Sequence, residues 1–205
     1  MCFRPRHGYL PLLLWALRRW LRGEGRSPLE QTQLTLNEVS VLYTHRSMTQ
    51  PSPIFIVEER PDSADAIALI EELDAQLTSH DYPEESRHAF SIDKLLNENV
   101  AFFVTRYQGE PAGCGGIKLF GTEFGEVKRM YVRPNFRGLG LGKEMLKHLS
   151  AYAKQNAVRL LRLETGIHQI EAIGLYEQMG FQRCPPFADY KLDPHSVYME
   201  KVIED

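Results

Sequence analysis

The segment from residue 132 to residue 142, VRPNFRGLGLG, links a strand-like run to the most clearly amphipathic stretch of the chain. Backbone N–H groups at the start of a helix, together with the helix dipole, form a binding site for anions. Glycines at positions 138, 140 and 142 let the backbone approach a phosphate closely, and Arg137 adds a permanent positive charge. The segment therefore predicts a loop that binds a pyrophosphate.

Three kinds of phosphate-binding loop can be compared with this segment. The dinucleotide fingerprint G-x-G-x-x-G matches two of the glycines, but Lys143 stands where its third glycine belongs. The P-loop fails twice, because Arg137 replaces its first glycine and Glu144 replaces the Ser or Thr that follows the lysine. The pattern Arg-x-x-Gly-x-Gly does fit, with Arg137, Gly140 and Gly142 at its fixed positions.

Outward from the loop, the hydrophobic periodicity predicts a mixed α/β fold. Strands are predicted at residues 54–59, 100–107, 112–120, 125–132, 160–164, 181–184 and 197–201. Helices are predicted at residues 62–77, 92–97, 141–156 and 170–179, the last one ended by Gly180. An antiparallel meander thus precedes a β-α-β unit, which is not the order of a doubly wound sheet.

The loop and its flanking segments resemble the GCN5-related N-acetyltransferase (GNAT) superfamily. GEVKRMYV (125–132) precedes the loop, and LLRLETG (160–166) and AIGLYEQMGF (172–181) follow it in the family's order. The resemblance spans residues 54–201. It implies a bacterial single-domain member, with a central, twisted, mostly antiparallel sheet of about seven strands and flanking helices.

The resemblance also implies a set of contacts to coenzyme A. The backbone of Met130 and Val132 would pair with the pantetheine arm like an added strand. Many members have an asparagine that contacts the cofactor where this chain has Gln169, whose longer amide can make the same bonds from a different place. The pyrophosphate would be held by the N–H groups of Arg137, Gly138, Leu139, Gly140, Leu141 and Gly142.

Two residues match catalytic positions of the family. Tyr176 lies where many members donate a proton to the departing thiolate of coenzyme A, and a phenol can perform that step. Glu126 matches a strand glutamate that acts as general base in several members, directly or through water. Structural roles are the alternative for both: Tyr176 as a core aromatic, and Glu126 as a solvated ion pair with Lys128.

Other residues are weaker candidates. Cys114 could carry the acetyl group in a two-step route, although strand cysteines are more often small apolar residues. The acidic stretch from residue 58 to residue 85 could attract cationic amines or form a solvated helix face. Polar residues also cluster in the first helix–helix loop, the side on which family members receive the acceptor; these are His80, Tyr82, Glu85, Ser86 and His88.

The expected function is direct transfer of an acetyl group from acetyl-CoA to a primary amine of a small molecule. Two alternatives stay open at this point. The same fold could acetylate a protein amine, or it could bind acyl-CoA as a sensor without turning over an acceptor.

The composition excludes several other classes of protein. A net charge of −3 gives no reason to expect a nucleic-acid partner. Three widely spaced cysteines argue against a disulfide framework and favour a reducing cytoplasm. The seven histidines show no metal-ligand spacing, so no metal is expected.

The N-terminal segment differs from the rest of the chain. Its apolar run at residues 9–21 is shorter than the roughly 20 residues that a membrane-spanning helix needs. We interpret residues 1–50 as a poorly ordered extension or the product of an upstream start, and residues 51–205 as the acetyltransferase domain. Membrane contact is not expected, although Trp15 and Trp20 beside arginines leave an interfacial helix open. Alternate pairing of the C-terminal strands, which the segment from Tyr190 to Ser196 links, could support a homodimer.

Overall fold

The computed structural model describes residues 53–78 and 91–204, which belong to the unit Ser52–Asp205. The strands are β1 (Ile54–Glu58), β2 (Ala101–Tyr107), β3 (Glu110–Phe120), β4 (Phe124–Val132), β5 (Leu160–Gly166), β6 (Gln182–Arg183) and β7 (Ser196–Val202). The α-helices are α1 (Ala64–Thr78), α2 (Ile92–Asn97), α3 (Leu141–Gln155) and α4 (Ile170–Gln178), and a short 3-10 helix covers Pro134–Phe136.

The order of these elements is the predicted one, and the mixed α/β fold class is confirmed. Strand β6 is shorter than predicted, because only two of its residues pair with β7. No described helix combines the length and the apolar character needed to cross a bilayer. The predicted extension at residues 1–50 lies outside the described residues, so the division at residue 50 stays a prediction.

All seven strands form one sheet in the order β1-β2-β3-β4-β5-β7-β6. Every neighbouring pair is antiparallel except β4 and β5, which run parallel. The parallel pairing is also the shortest within the centre of the sheet, since it joins only Gly125 to Leu161 and Glu126 to Arg162. Beyond residue 126, β4 has no partner on its β5 side among the described residues. The sheet is therefore open at its centre.

Helices cover both faces of the sheet. Successive strand residues point to opposite faces, and this alternation separates Phe103, which packs with α3, from Phe102 and Val104, which pack with α1. The larger cluster joins Met145 and Leu149 of α3 to strand residues, and the second cluster lies under α1 and α2. A third, aromatic cluster contains Phe124, Phe187 and Tyr198.

A β-bulge interrupts β4 shortly before the glycine-rich loop at residues 133–142. Cys114 faces Tyr131 and Gly116 faces Lys128, so one β3 residue lies opposite two β4 residues. Arg129, within the bulge, has a φ of 56°, an uncommon conformation for a residue other than glycine. The bulge reverses the inside–outside alternation of the strand, and the sequence pattern gave no sign of it.

The acidic face of α1 is paired with arginines of the sheet rather than simply solvated. Glu72 accepts hydrogen bonds from Nε and Nη2 of Arg133, and Asp74 pairs with Nη1 of Arg129 at 2.7 Å. Both carboxylates stay partly exposed, so this face of α1 is solvated and also paired with the sheet. These ion pairs could not be predicted from local sequence patterns, because each arginine lies more than fifty residues further along the chain.

Candidate active site

A cavity of about 560 Å³ lies beside the end of β4, past the point where that strand parts from β5. Its walls come from β4, the loop after it, the first turn of α3, the start of α4, and Leu73 and Gln76 of α1. All the predicted site residues line it except two. The lining members of that set are Met130, Val132, Arg137, Gly138, Gly140, Leu141, Gly142, Gln169 and Tyr176.

Glycine is required in the loop for two different structural reasons. Gly138 and Gly140 adopt φ values of 80° and 81°, which favour glycine, and Gly140 is the N-cap of α3. Since glycine has no side chain, no side-chain hydrogen bond caps this helix. A Cβ atom on Gly142 would come within 2.8 Å of the Leu175 side chain, so glycine there allows α3 and α4 to pack closely. The first turn of α3 thus meets the cavity with backbone N–H groups that no side chain caps.

Arg137 reaches across the cavity from the loop. Its Nη2 donates to Oε1 of Gln76 at 2.7 Å, and its Nη1 lies 3.2 Å from Oε2 of Glu171. Its Nε donates to the carbonyl oxygen of Val132 at 3.1 Å, which ties the side chain to the end of β4. The guanidinium and the uncapped first turn of α3 thus line the same cavity, and both favour an anionic group.

Tyr176 and Gln169 are placed in the cavity wall by α4. Tyr176 is buried, and its hydroxyl makes no hydrogen bond to another described residue. Burial, reinforced by the negative charge of Glu164, raises the pKa of Tyr176, so this phenol stays protonated at neutral pH. Gln169 is the N-cap of α4, and its side-chain Nε2 is buried without a hydrogen-bond partner among the described residues. Both side chains therefore have polar atoms available for a ligand.

Comparison with known proteins finds similarity to acetyltransferases. A sequence profile of the Acetyltransferase (GNAT) family matches residues 66–181. The chain belongs to the GNAT family. The IAA acetyltransferase of Azospirillum brasilense is 39% identical over 150 residues, which are 72% of this chain and 97% of that protein. A solved structure from Klebsiella pneumoniae, described as an acyl-CoA N-acyltransferase, is 41% identical, with a TM-score of 0.62 over 74% of this chain and 98% of that one.

More distant structures have the same fold. The PaiA N-acetyltransferase of Thermoplasma acidophilum, solved in complex with coenzyme A, shares 22% identity. Its TM-score is 0.60 over 73% of this chain and 98% of that chain. The GNAT chain described here is thus an acetyl-CoA-dependent N-acetyltransferase, and acetyl-CoA is its co-substrate. The uncapped first turn of α3, Arg137 and the unpartnered amide nitrogen of Gln169 fit such an anionic, amide-containing molecule.

Glu126 and Leu139 are the two predicted residues outside the cavity lining. Leu139 is 44% exposed and does not line the cavity, so its predicted N–H contact to the pyrophosphate stays a prediction. Glu126 is 3% exposed, and its Oε1 accepts hydrogen bonds from Lys128 Nζ at 2.6 Å and from Tyr190 Oη at 2.8 Å. The predicted ion pair with Lys128 exists, but it is buried rather than solvated.

Tyr190 completes this buried cluster, and the sequence reasoning missed it. Lys128 Nζ also donates to Tyr190 Oη at 3.0 Å, so the three polar groups of Glu126, Lys128 and Tyr190 form a closed triangle. Burial lowers the pKa of Lys128, although the carboxylate of Glu126 opposes that effect. Burial and the same carboxylate raise the pKa of Tyr190. Tyr190 lies 64 residues beyond Glu126, in a segment without strand or helix periodicity, so no sequence pattern indicated the contact.

The geometry disfavours the two-step route through Cys114. This thiol is buried, and its Sγ donates to the carbonyl oxygen of Arg129 at 3.3 Å. Burial raises its pKa to about 12, so the nucleophilic thiolate is scarce at neutral pH. The five polar residues predicted to cluster in the first helix–helix loop lie outside the described residues.

Proposed function

We propose that this N-acetyltransferase transfers the acetyl group directly to the primary amine of a small-molecule acceptor. One cavity contains the unpaired edge of β4, the uncapped start of α3 and the hydroxyl of Tyr176. This juxtaposition supports a single site in which a thioester is held with its sulfur near a proton donor.

Acetyl-CoA would be held mainly by backbone groups. The edge of β4 at Met130 and Val132 offers N–H and C=O groups to the amides of the pantetheine arm, as in the addition of a strand. The N–H groups from Arg137 to Gly142 would hold the pyrophosphate, with the Arg137 guanidinium exchanging its contacts to Gln76 and Glu171 for phosphate oxygens. Gln169 would donate its unpartnered Nε2 to an oxygen of the same molecule.

The transfer itself needs two proton movements. The acceptor ammonium first loses a proton, and its nitrogen then attacks the carbonyl carbon of the thioester. A C–N bond forms as the C–S bond breaks, and the sulfur leaves with the electron pair. Tyr176 donates its hydroxyl proton to that sulfur and is reprotonated from the acceptor nitrogen, so one proton in total goes to solvent. The raised pKa of Tyr176 keeps this proton in place until the thiolate develops.

Glu126 remains the candidate general base. Its carboxylate lies outside the cavity lining, so a proton would reach it through water or through the Tyr190 hydroxyl, to which it is hydrogen-bonded. Lys128 balances the negative charge of the carboxylate in this buried position.

A small acceptor is supported by one relative. The Azospirillum brasilense protein, almost all of whose length this chain covers, is named for acetylation of IAA. Location in the cytoplasm and assembly as a homodimer stay predictions from the sequence.

The test combines a titration with a turnover screen. Acetyl-CoA is titrated calorimetrically into the purified chain, and release of free thiol is then followed with small primary amines and with short peptides. We expect saturable binding and thiol release with small amines. Acetylation of peptide amines without turnover of any small amine would overturn the proposal.

A further inference from the structure

Arg129 is a buried arginine with an unused hydrogen-bonding edge. Its side chain is 5% exposed, and its Nη1 pairs with Oδ1 of Asp74 at 2.7 Å. Its Nε and Nη2 are buried and have no hydrogen-bond partner among the described residues. Buried donors without partners are rare in proteins because each one costs free energy, and the cost is greater for a charged group.

Other arginines of the same chain show what this edge normally binds. Nε and Nη2 lie on one side of the guanidinium and together face the two oxygens of a carboxylate. Arg133 uses them on Glu72, at 2.9 and 2.7 Å, and Arg60 uses them on Asp62, at 2.9 and 2.8 Å. The same edge of Arg129 is buried but faces no carboxylate of the described chain.

The strained backbone of Arg129 directs its side chain to this position. In a regular strand the residue after Lys128 would point to the α3 face. The bulge instead turns Arg129 to the α1 face, where it meets Asp74, and leaves Met130 packed on the α3 side. A left-handed conformation is unfavourable for a residue with a long side chain, and such strain concentrates at functional sites.

Arg129 stands immediately behind the wall of the cavity. Met130, the next residue along β4, lines the cavity. On α1, Leu73 and Gln76 line it on either side of Asp74, the partner of Arg129. The unused edge therefore lies on the α1 side of the sheet, behind this part of the cavity wall.

We propose that Arg129 binds a carboxylate of the acceptor through Nε and Nη2, so that the acceptors are amino-carboxylic acids. This inference rests on the proposed transfer to a small amine and names the class of that amine. A planar group with two oxygens and a single negative charge matches the edge, and Asp74 already balances part of the arginine's charge. Both nitrogens are buried, so the carboxylate must displace the groups that cover them.

The test compares amino acids with their own amides. Each pair has the same amine and side chain and differs only in the carboxylate. We expect kcat/KM to be at least about tenfold higher for the acids, as a charge-assisted pair of hydrogen bonds implies. In Arg129→Lys, which keeps a charge for Asp74 but lacks the edge, that ratio falls close to one while the Kd of acetyl-CoA is unchanged. Arg60→Lys, which removes the same edge from an exposed pair, keeps the wild-type ratio.

A second measurement needs neither turnover nor a variant. N-acetyl amino acids and their amides are titrated into the wild-type chain loaded with coenzyme A, and the acids are expected to bind more tightly. Equal affinities, or equal kcat/KM values for acids and amides in the wild type, would overturn the role of Arg129. An equal loss for both substrates in Arg129→Lys would overturn it too, since it indicates a purely structural residue. Turnover of amides and simple amines alone would leave the proposed transfer intact and refute only the carboxylate site.

Discussion

The two ends of strand β4 present different kinds of polar group: backbone groups at one end and buried side chains at the other. After its C-terminal end, the loop from Arg137 to Gly142 presents backbone N–H groups and glycines of positive φ within one short segment. Nearer its start, the buried side chains of Glu126 and Lys128 are hydrogen-bonded to each other and to Tyr190, which lies far along the chain. The loop suits a part of the co-substrate that never changes, because main-chain contacts are available whatever the side chains are. The buried cluster depends instead on three side chains from distant segments, so a single substitution can remove one of its members.

The largest expected effect comes from the loop. Gly140→Val places a β-branched residue at a φ of 81° and disturbs the cap of α3, so the Kd of acetyl-CoA should rise at least about 100-fold. Calorimetric titration measures it. Gly121→Val is the matched control, because Gly121 also has a positive φ but lies in the turn between β3 and β4, away from the cavity. An equal loss of affinity in both variants would mean that general destabilisation, not the loop, is responsible.

Tyr176→Phe should separate chemistry from binding. Loss of the hydroxyl removes the proton for the departing thiolate and should lower kcat about 100-fold, with little change in the Kd of acetyl-CoA. Steady-state thiol release and calorimetry give the two values. Tyr152→Phe, on α3 and outside the cavity lining, should leave both unchanged. If kcat of Tyr176→Phe equals that of the wild type, Tyr176 has only a structural role in the core.

Glu126→Gln tests the buried end of the strand. Gln keeps the shape and can still accept from Tyr190, but it is not basic, so kcat should fall about tenfold or more while acetyl-CoA affinity persists. Rates over a range of pH should show that the loss shrinks as the solution itself deprotonates the amine. Glu123→Gln, in the exposed turn before β4, is the control. An unchanged rate at neutral pH would leave Glu126 a structural partner of Lys128.

The sequence predicts the two ends of β4 unequally, because their contacts differ in sequence separation. The loop and the order of elements follow from local patterns, because helix starts and glycine spacing are read within a few residues. The prediction of Tyr176 as a site residue comes from the family resemblance. The bulge at Arg129 and the contact of Tyr190 with Glu126 depend on residues brought together by the tertiary fold. Periodicity carries no information about such contacts.

The smallest expected effect concerns the ion pairs that hold α1 to the sheet. The hydrogen bonds from Arg133 hold the pKa of Glu72 below its ordinary value of 4.5. A lowered pKa contributes stability above pH 4.5 that is lost as the pH falls through the folded-state value. Since the pair is partly exposed, the contribution should be below about 1 kcal/mol.

Urea unfolding between pH 7 and pH 3 measures this effect. The wild type should lose more stability on acidification than Glu72→Gln, and the difference between the two should shrink at the acidic end. A difference that stays constant with pH would show that the carboxylate's charge is not what ties α1 to β4.

The most direct test of the whole account is a crystal structure of the chain with coenzyme A. We expect the pyrophosphate oxygens within about 3 Å of the backbone nitrogens between Arg137 and Gly142, and the thiol next to the Tyr176 hydroxyl. We also expect the pantetheine arm along Met130 and Val132, with the Glu126 cluster left intact. A coenzyme A molecule bound elsewhere, or a pyrophosphate held by side chains away from the start of α3, would contradict the account.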